Sequence, residues 1–90
     1  MKIRIAIFAS GSGSNAENLI NYFKNSKIVQ VSLILSNRKD AYVLTRAQQY
    51  DIPSIVFNKE ELGNGFVLDI LGNYKIDFIV LAGFLLKIPS

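Results

Sequence analysis

"KIRIAIFASGSGSNAENLINYFKNSK", residues 2–27, carries the pattern that decides the fold. Ile3, Ile5 and Ile7 alternate at period two before the run turns continuously apolar through Phe8 and Ala9. That is the signature of a strand buried on both faces at its carboxyl end. Gly11 and Gly13 follow, and Ala16, Leu19, Ile20 and Phe23 then recur at helical spacing. Ser14 or Asn15 is expected to cap this helix, with Glu17 suited to its start and Lys24 and Lys27 to its end. A strand, a glycine loop and a helix in that order form the opening of a parallel α/β unit, with an anion-binding position at the helix start.

The unit repeats in kind along the chain. "VQVSLILS" (29–36) is a second apolar strand, and "DAYVLTRAQQYD" (40–51) places Ala41, Val43, Leu44 and Ala47 on one helical face with Asp40 as the expected cap. "IPSIVFN" (52–58) reads as a short strand, and residues 59–75 as helix from Phe66 to Leu71 with a break at Gly63 and Gly65. "IDFIVLAGF" (76–84) is the fourth strand. The order β-α-β-α-β-α-β, with right-handed crossovers, predicts an α/β fold: a Rossmann-like three-layer parallel sheet of strand order 3-2-1-4. Its topological switch point falls between strands one and four, where residues 11–15 and Ala82-Gly83 are expected to converge. Strand four is expected to be central in a complete sheet, but in residues 1–90 alone to stand at the edge, with "FIVLAGFLL" lacking cover and prone to pair with another chain.

Composition narrows the function. The 90 residues suit one compact domain. The net charge of +3 sets ten basic residues against seven acidic ones, and the basic residues are scattered from Lys2 to Lys87, which argues against a nucleic-acid face. With no cysteine there is neither a disulfide nor a thiolate metal site, in keeping with a cytoplasmic protein, and no metal ligands are assigned. No signal peptide is visible, and the longest apolar stretch (78–86) is too short to span a membrane. No histidine is present, so histidine acid–base chemistry cannot be completed within these residues. Nothing in the sequence sets an oligomeric state.

Three phosphate ligands fit a loop of this kind to different degrees. A triphosphate-binding P-loop needs a lysine directly after its last glycine, and none occurs before Lys24. A dinucleotide fingerprint, G-x-G-x-x-A, is satisfied by "GSGSNA" (11–16), but strand two ends in "SNRKD" rather than in an acidic residue. Arg38 and Lys39 leave an NADP-binding oxidoreductase domain open. The third ligand is a monophosphate, with Gly11 allowing the tight turn and Gly13 the close approach of an oxyanion. N–H groups around Gly13, Ser14 and Asn15 would surround it, aided by the side chains of Ser14 and Asn15. A non-catalytic phosphate-binding module, or a Gly-Ser turn in which Asn15 only caps a helix, also fits these residues.

Three segments together resemble one family. "ASGSGSN" (9–15), "SNRKDAYVLTRA" (36–47) and "DFIVLAGFLLKIP" (77–89) are similar, in order, to the phosphate loop and two further segments of the phosphoribosylglycinamide formyltransferases, folate-dependent enzymes of purine synthesis. The resemblance covers the amino-terminal half of a formyltransferase fold. It implies that Gly11, Gly13, Ser14 and Asn15 hold the phosphate of glycinamide ribonucleotide and that Gly83 lies beside the ribonucleotide and folate clefts. The backbone of Leu85, Leu86, Lys87 and Ile88 would contact the pterin of 10-formyltetrahydrofolate. Many members carry arginine where Leu86 stands. The reaction implied is formyl transfer from the folate to the ribonucleotide amine. The family's catalytic asparagine, histidine and aspartate follow the A-G-F segment, so none is assigned among residues 1–90, which are expected to be inactive alone. A relative acting on aminoacyl-tRNA or a nucleotide sugar is disfavoured by the glycine loop.

Overall fold

The computed structural model describes residues 2–9, 14–81 and 84–87. Along the chain lie β1 (Ile3–Phe8), α1 (Ser14–Phe23), β2 (Val29–Ser36), α2 (Tyr42–Gln49), β3 (Ser54–Val56), α3 (Lys59–Gly63), α4 (Phe66–Asn73), β4 (Phe78–Leu81) and β5 (Phe84–Lys87). The sheet order is β3-β2-β1-β4-β5. β1 runs parallel to β2 and β4, and β2 parallel to β3, which is the expected 3-2-1-4 arrangement.

Side-chain alternation along the central strands builds two cores. Ala6, Leu33 and Leu35 face one side and pack with Phe57 and with Val67 and Leu71 of α4. Ile7 and Ile34 face the other and pack with Ala16 and Ile20 of α1 and with Val43 and Ala47 of α2. Leu33, Ile34 and Leu35 are consecutive and fully buried, so β2 has no solvent face over this stretch. Each such side chain contributes about 1.5–3 kcal/mol through burial. β4 continues both layers, with Ile79 against the first core and Val80 against the second.

The β1–β2 ladder slips by one residue between Ile5, opposite Val31, and Ala6, opposite Leu33. Ser32 is the extra residue of this bulge, and its Oγ is buried with no hydrogen-bond partner among the described residues.

Two helices end in the same way. At the end of α2, Asp51 N–H donates to Gln48 O (3.1 Å) and Ile52 N–H to Ala47 O (2.9 Å). At the end of α4, Lys75 N–H donates to Gly72 O (3.0 Å) and Ile76 N–H to Leu71 O (2.9 Å). Both are Schellman closures, with the left-handed position taken by Asp51 (φ 58°) and Lys75 (φ 56°) rather than glycine. The following isoleucine returns to the core each time, Ile76 against Leu71 and Ile52 among the neighbours of Ala47.

Several expectations change in the folded chain. Helix α1 already includes Ser14 and Asn15, so neither stands outside it as a cap. Asp40 does not cap α2: the capping position is Ala41, and a turn closed by Ala41 N–H to Arg38 O (3.2 Å) sets Asp40 beside Arg38 instead. The break at Gly63 and Gly65 is present, but a helix, α3, precedes it. A reciprocal capping box starts α3, with Glu61 N–H donating to Asn58 Oδ1 (2.7 Å) and Asn58 N–H to Glu61 Oε1 (2.9 Å). The expected fourth strand over 76–84 is two strands. Leu81 pairs with Phe84 and Phe78 with Lys87, so β5 is antiparallel to β4 and occupies the edge expected to be bare. Two residues separate them in sequence, enough for a hairpin and far too few for a crossover.

Candidate functional site

The carboxyl ends of the three central strands lie level. Phe8 is opposite Leu35 and Leu81, and Ala9 N–H donates to Leu35 O (2.9 Å), extending that contact one residue beyond β1. From this line the chain departs in opposite directions. After β1 it passes to α1 and β2, on the side leading to β3, while β4 is on the other side of β1. Helices α1 and α2 cover one face and α4 the other. This is the switch-point geometry in which an open α/β sheet forms a crevice beyond its strands.

Helix α1 begins five residues after Ala9. Its first four N–H groups have no partner within the helix by geometry, and its positive end favours an anion. Asn15 is exposed in this turn. Buried Ala16 and Ile20 on the same helix anchor it to the sheet beside Ile7 and Ile34. The packing of these two residues fixes where the start of the helix lies.

A contact not read from the sequence fixes the turn from the side. Arg46 Nη1 of α2 lies 2.7 Å from Glu17 Oε1, and Tyr50 Oη donates to Glu17 Oε2 (3.3 Å). The Arg46 guanidinium also stacks over the Tyr42 ring at 4.8 Å. Glu17 had shown only its preference for a helix start. The partner's signal lies in "LTRA", 27 or more residues away in sequence, and no local spacing links the two.

The tip of β2 is closed upon itself. Ser36 is fully buried, its Oγ accepting from Arg38 N–H (3.2 Å) and donating to Arg38 O (3.2 Å). The Arg38 side chain pairs with Asp40 (3.4 Å), and both are exposed. A basic depression lined by Lys2, Arg4, Gln30, Lys75 and Asp77 lies at the amino ends of the strands, opposite the start of α1. There Asp77 N–H donates to Arg4 O (2.8 Å) and Arg4 N–H to Asp77 Oδ2 (2.9 Å), locking the start of β4 to β1.

Of the site residues expected from sequence, Ser14 and Asn15 open α1. Gly11, Gly13, Gly83 and Ile88 lie outside the described residues. Leu85, Leu86 and Lys87 belong to β5 and are opposite Val80, Ile79 and Phe78, so their backbone runs from the carboxyl end of β4 back toward its start. Among the described residues no group of three or more acidic, histidine or cysteine side chains is placed to hold a metal. No described helix is long and apolar enough to cross a membrane.

The fold and this geometry define an α/β domain with a topological switch point at the carboxyl ends of β1 and β4. The family described as formyl transferase matches residues 3–90, and the chain belongs to it. It is 35% identical over 88 residues to phosphoribosylglycinamide formyltransferase of Haemophilus influenzae, a match covering 91% of this chain and 42% of that protein. The crystal structure of the enzyme of the same name from Anaplasma phagocytophilum superposes with a TM-score of 0.82 at 33% identity, covering 93% of this chain and 41% of that one. The Brucella melitensis structure gives 0.83 at 30% identity, covering 93% and 47%. The chain thus spans less than half the length of these relatives.

Proposed function

We propose that residues 1–90 are the ribonucleotide-binding part of a phosphoribosylglycinamide formyltransferase acting in purine biosynthesis. The observation that carries this reading is the start of α1, with Ser14 and Asn15, at the switch point of a chain whose family match runs through residues 3–90. Gly11 and Gly13 supply the turn and the close approach, and Gly13, Ser14 and Asn15 hold the substrate phosphate. Gly83 borders the cleft, and the main chain of Leu85, Leu86, Lys87 and Ile88 faces the folate. The co-substrate is 10-formyltetrahydrofolate, and the protein works on small molecules in the cytoplasm.

In the transfer, the substrate's primary amine bonds to the formyl carbon and generates a tetrahedral oxyanion. The bond from that carbon to the folate nitrogen then breaks, and the proton shed by the amine passes to that nitrogen. The contribution of these residues is to bind and orient the amine's carrier by its phosphate, so that binding energy remote from the amine sets its position. None of them is assigned a proton-transfer role, and the chain alone is expected to bind without turning over.

Calorimetric titration with glycinamide ribonucleotide, NADPH and inorganic phosphate tests the reading. Ribonucleotide binding that phosphate competes away is expected. Tight NADPH binding with no response to the ribonucleotide would overturn it in favour of a dinucleotide-binding domain. The family match through residues 3–90 weighs against that alternative.

A further inference from the structure

Glu17 places a carboxylate in the first turn of the helix whose start is proposed to hold the substrate phosphate. For an isolated helix that position is favourable, since the helix dipole attracts negative charge. Beside a bound dianion it is unfavourable, because residues three apart are separated by only about 4.5 Å along the axis. The fold answers this with a cation from another element. Arg46 of α2 meets one carboxylate oxygen at 2.7 Å, and Tyr50 donates to the other at 3.3 Å. Side-chain exposure of the pair is 22% for Arg46 and 30% for Glu17, so solvent screens it incompletely. Arg46 is itself held over the Tyr42 ring.

We infer that Arg46 is a positioning and charge-screening residue for the phosphate site: it cancels the Glu17 carboxylate and holds the first turn of α1 against α2. This rests on the proposed ribonucleotide-binding function. The ion pair leaves the helix start electropositive, so the turn tolerates an acidic residue that otherwise repels the ligand. The screen acts on phosphate affinity and not on the formyl donor.

Charge logic gives the two partners effects of opposite sign, which a packing role does not. The test is calorimetry on the full chain with glycinamide ribonucleotide and with glycinamide riboside, whose difference isolates the phosphate contribution. Arg46→Met keeps the stem and removes the charge, and is expected to weaken ribonucleotide binding about five- to tenfold, with riboside binding unmoved. Glu17→Gln is expected to tighten ribonucleotide binding, the double variant to recover most of the loss, and Arg46→Lys to restore it. Added salt is expected to shrink the Arg46→Met deficit. Equal losses in both single variants without recovery in the double overturn the inference while leaving the ribonucleotide reading intact. No response of the unmodified chain to ribonucleotide overturns both. If Arg46→Met fails to fold, Glu17→Gln still decides, since a tighter complex there supports the screen and an unchanged or weaker one overturns it.

Discussion

Asn15 and Glu17 stand in the same turn of α1 but answer to different demands. Asn15 is exposed and offers an amide where the proposed phosphate lies, whereas Glu17 is turned to Arg46 and Tyr50. Hydrogen bonds to charged groups are worth about 1.5–3 kcal/mol, so Asn15→Ala is expected to weaken ribonucleotide binding roughly tenfold to a hundredfold. Folate binding should be unchanged, as parallel titrations with the two ligands would reveal; equal losses would mean that Asn15 acts through folding. Ser32 makes the opposite case, a polar group that the fold does not use. Its hydroxyl is buried at the bulge without a partner among the described residues. Ser32→Ala is expected to raise stability by about 1 kcal/mol, seen as a higher urea midpoint with an unchanged slope. The serine was visible in "VQVSLILS", but its lack of a partner depends on a register slip against β1 that no single strand encodes.

Two helix ends share one local closure. The tripeptides "YDI" (50–52) and "YKI" (74–76) close α2 and α4 with the same pair of hydrogen bonds, although neither offers glycine at the left-handed position. Lys75→Gly is expected to stabilise the chain by about 0.5–1 kcal/mol, the relief of a side chain at φ 56° less the added freedom of the unfolded chain. A thermal or urea melt of the variant tests the balance. Gly65 is the converse. It precedes α4 at φ 91°, and a Cβ there would meet nothing within 4 Å. Gly65→Ala should therefore cost about 1–2 kcal/mol through backbone conformation alone, a loss measurable in the same melts. The glycine-marked break between α3 and α4 was legible for this reason, since glycine preference is a property of one residue. The hairpin of β4 and β5 was not. Its apolar run reads equally well as one long strand, and only the pairing of Leu81 with Phe84 shows that the chain reverses.

The molecule as a whole depends on β2. Leu33, Ile34 and Leu35 supply both cores, and helices from either side converge on them. Small domains are stable by only about 5–15 kcal/mol, and a buried Leu→Ala change removes about 2–5 kcal/mol. Leu35→Ala is accordingly expected to consume a large fraction of the total, with both cores melting together. Coincident transitions by far-ultraviolet circular dichroism and tyrosine fluorescence are the expected readout, and separate transitions would show that the two faces unfold independently.

From the sequence alone came the first three strands, helices α1, α2 and α4, and the 3-2-1-4 order of the sheet. Periods of two and 3.6, turn residues and crossover lengths are local properties, and parallel βαβ units leave few ways to arrange them. What only the tertiary structure decided was which distant groups face each other. The Arg46 cation lies against a carboxylate at the helix start, Asp40 turns to Arg38 rather than capping α2, and β5 takes the edge of β4. Each is a meeting of segments whose separate patterns are satisfied either way, so only packing in three dimensions chooses between them.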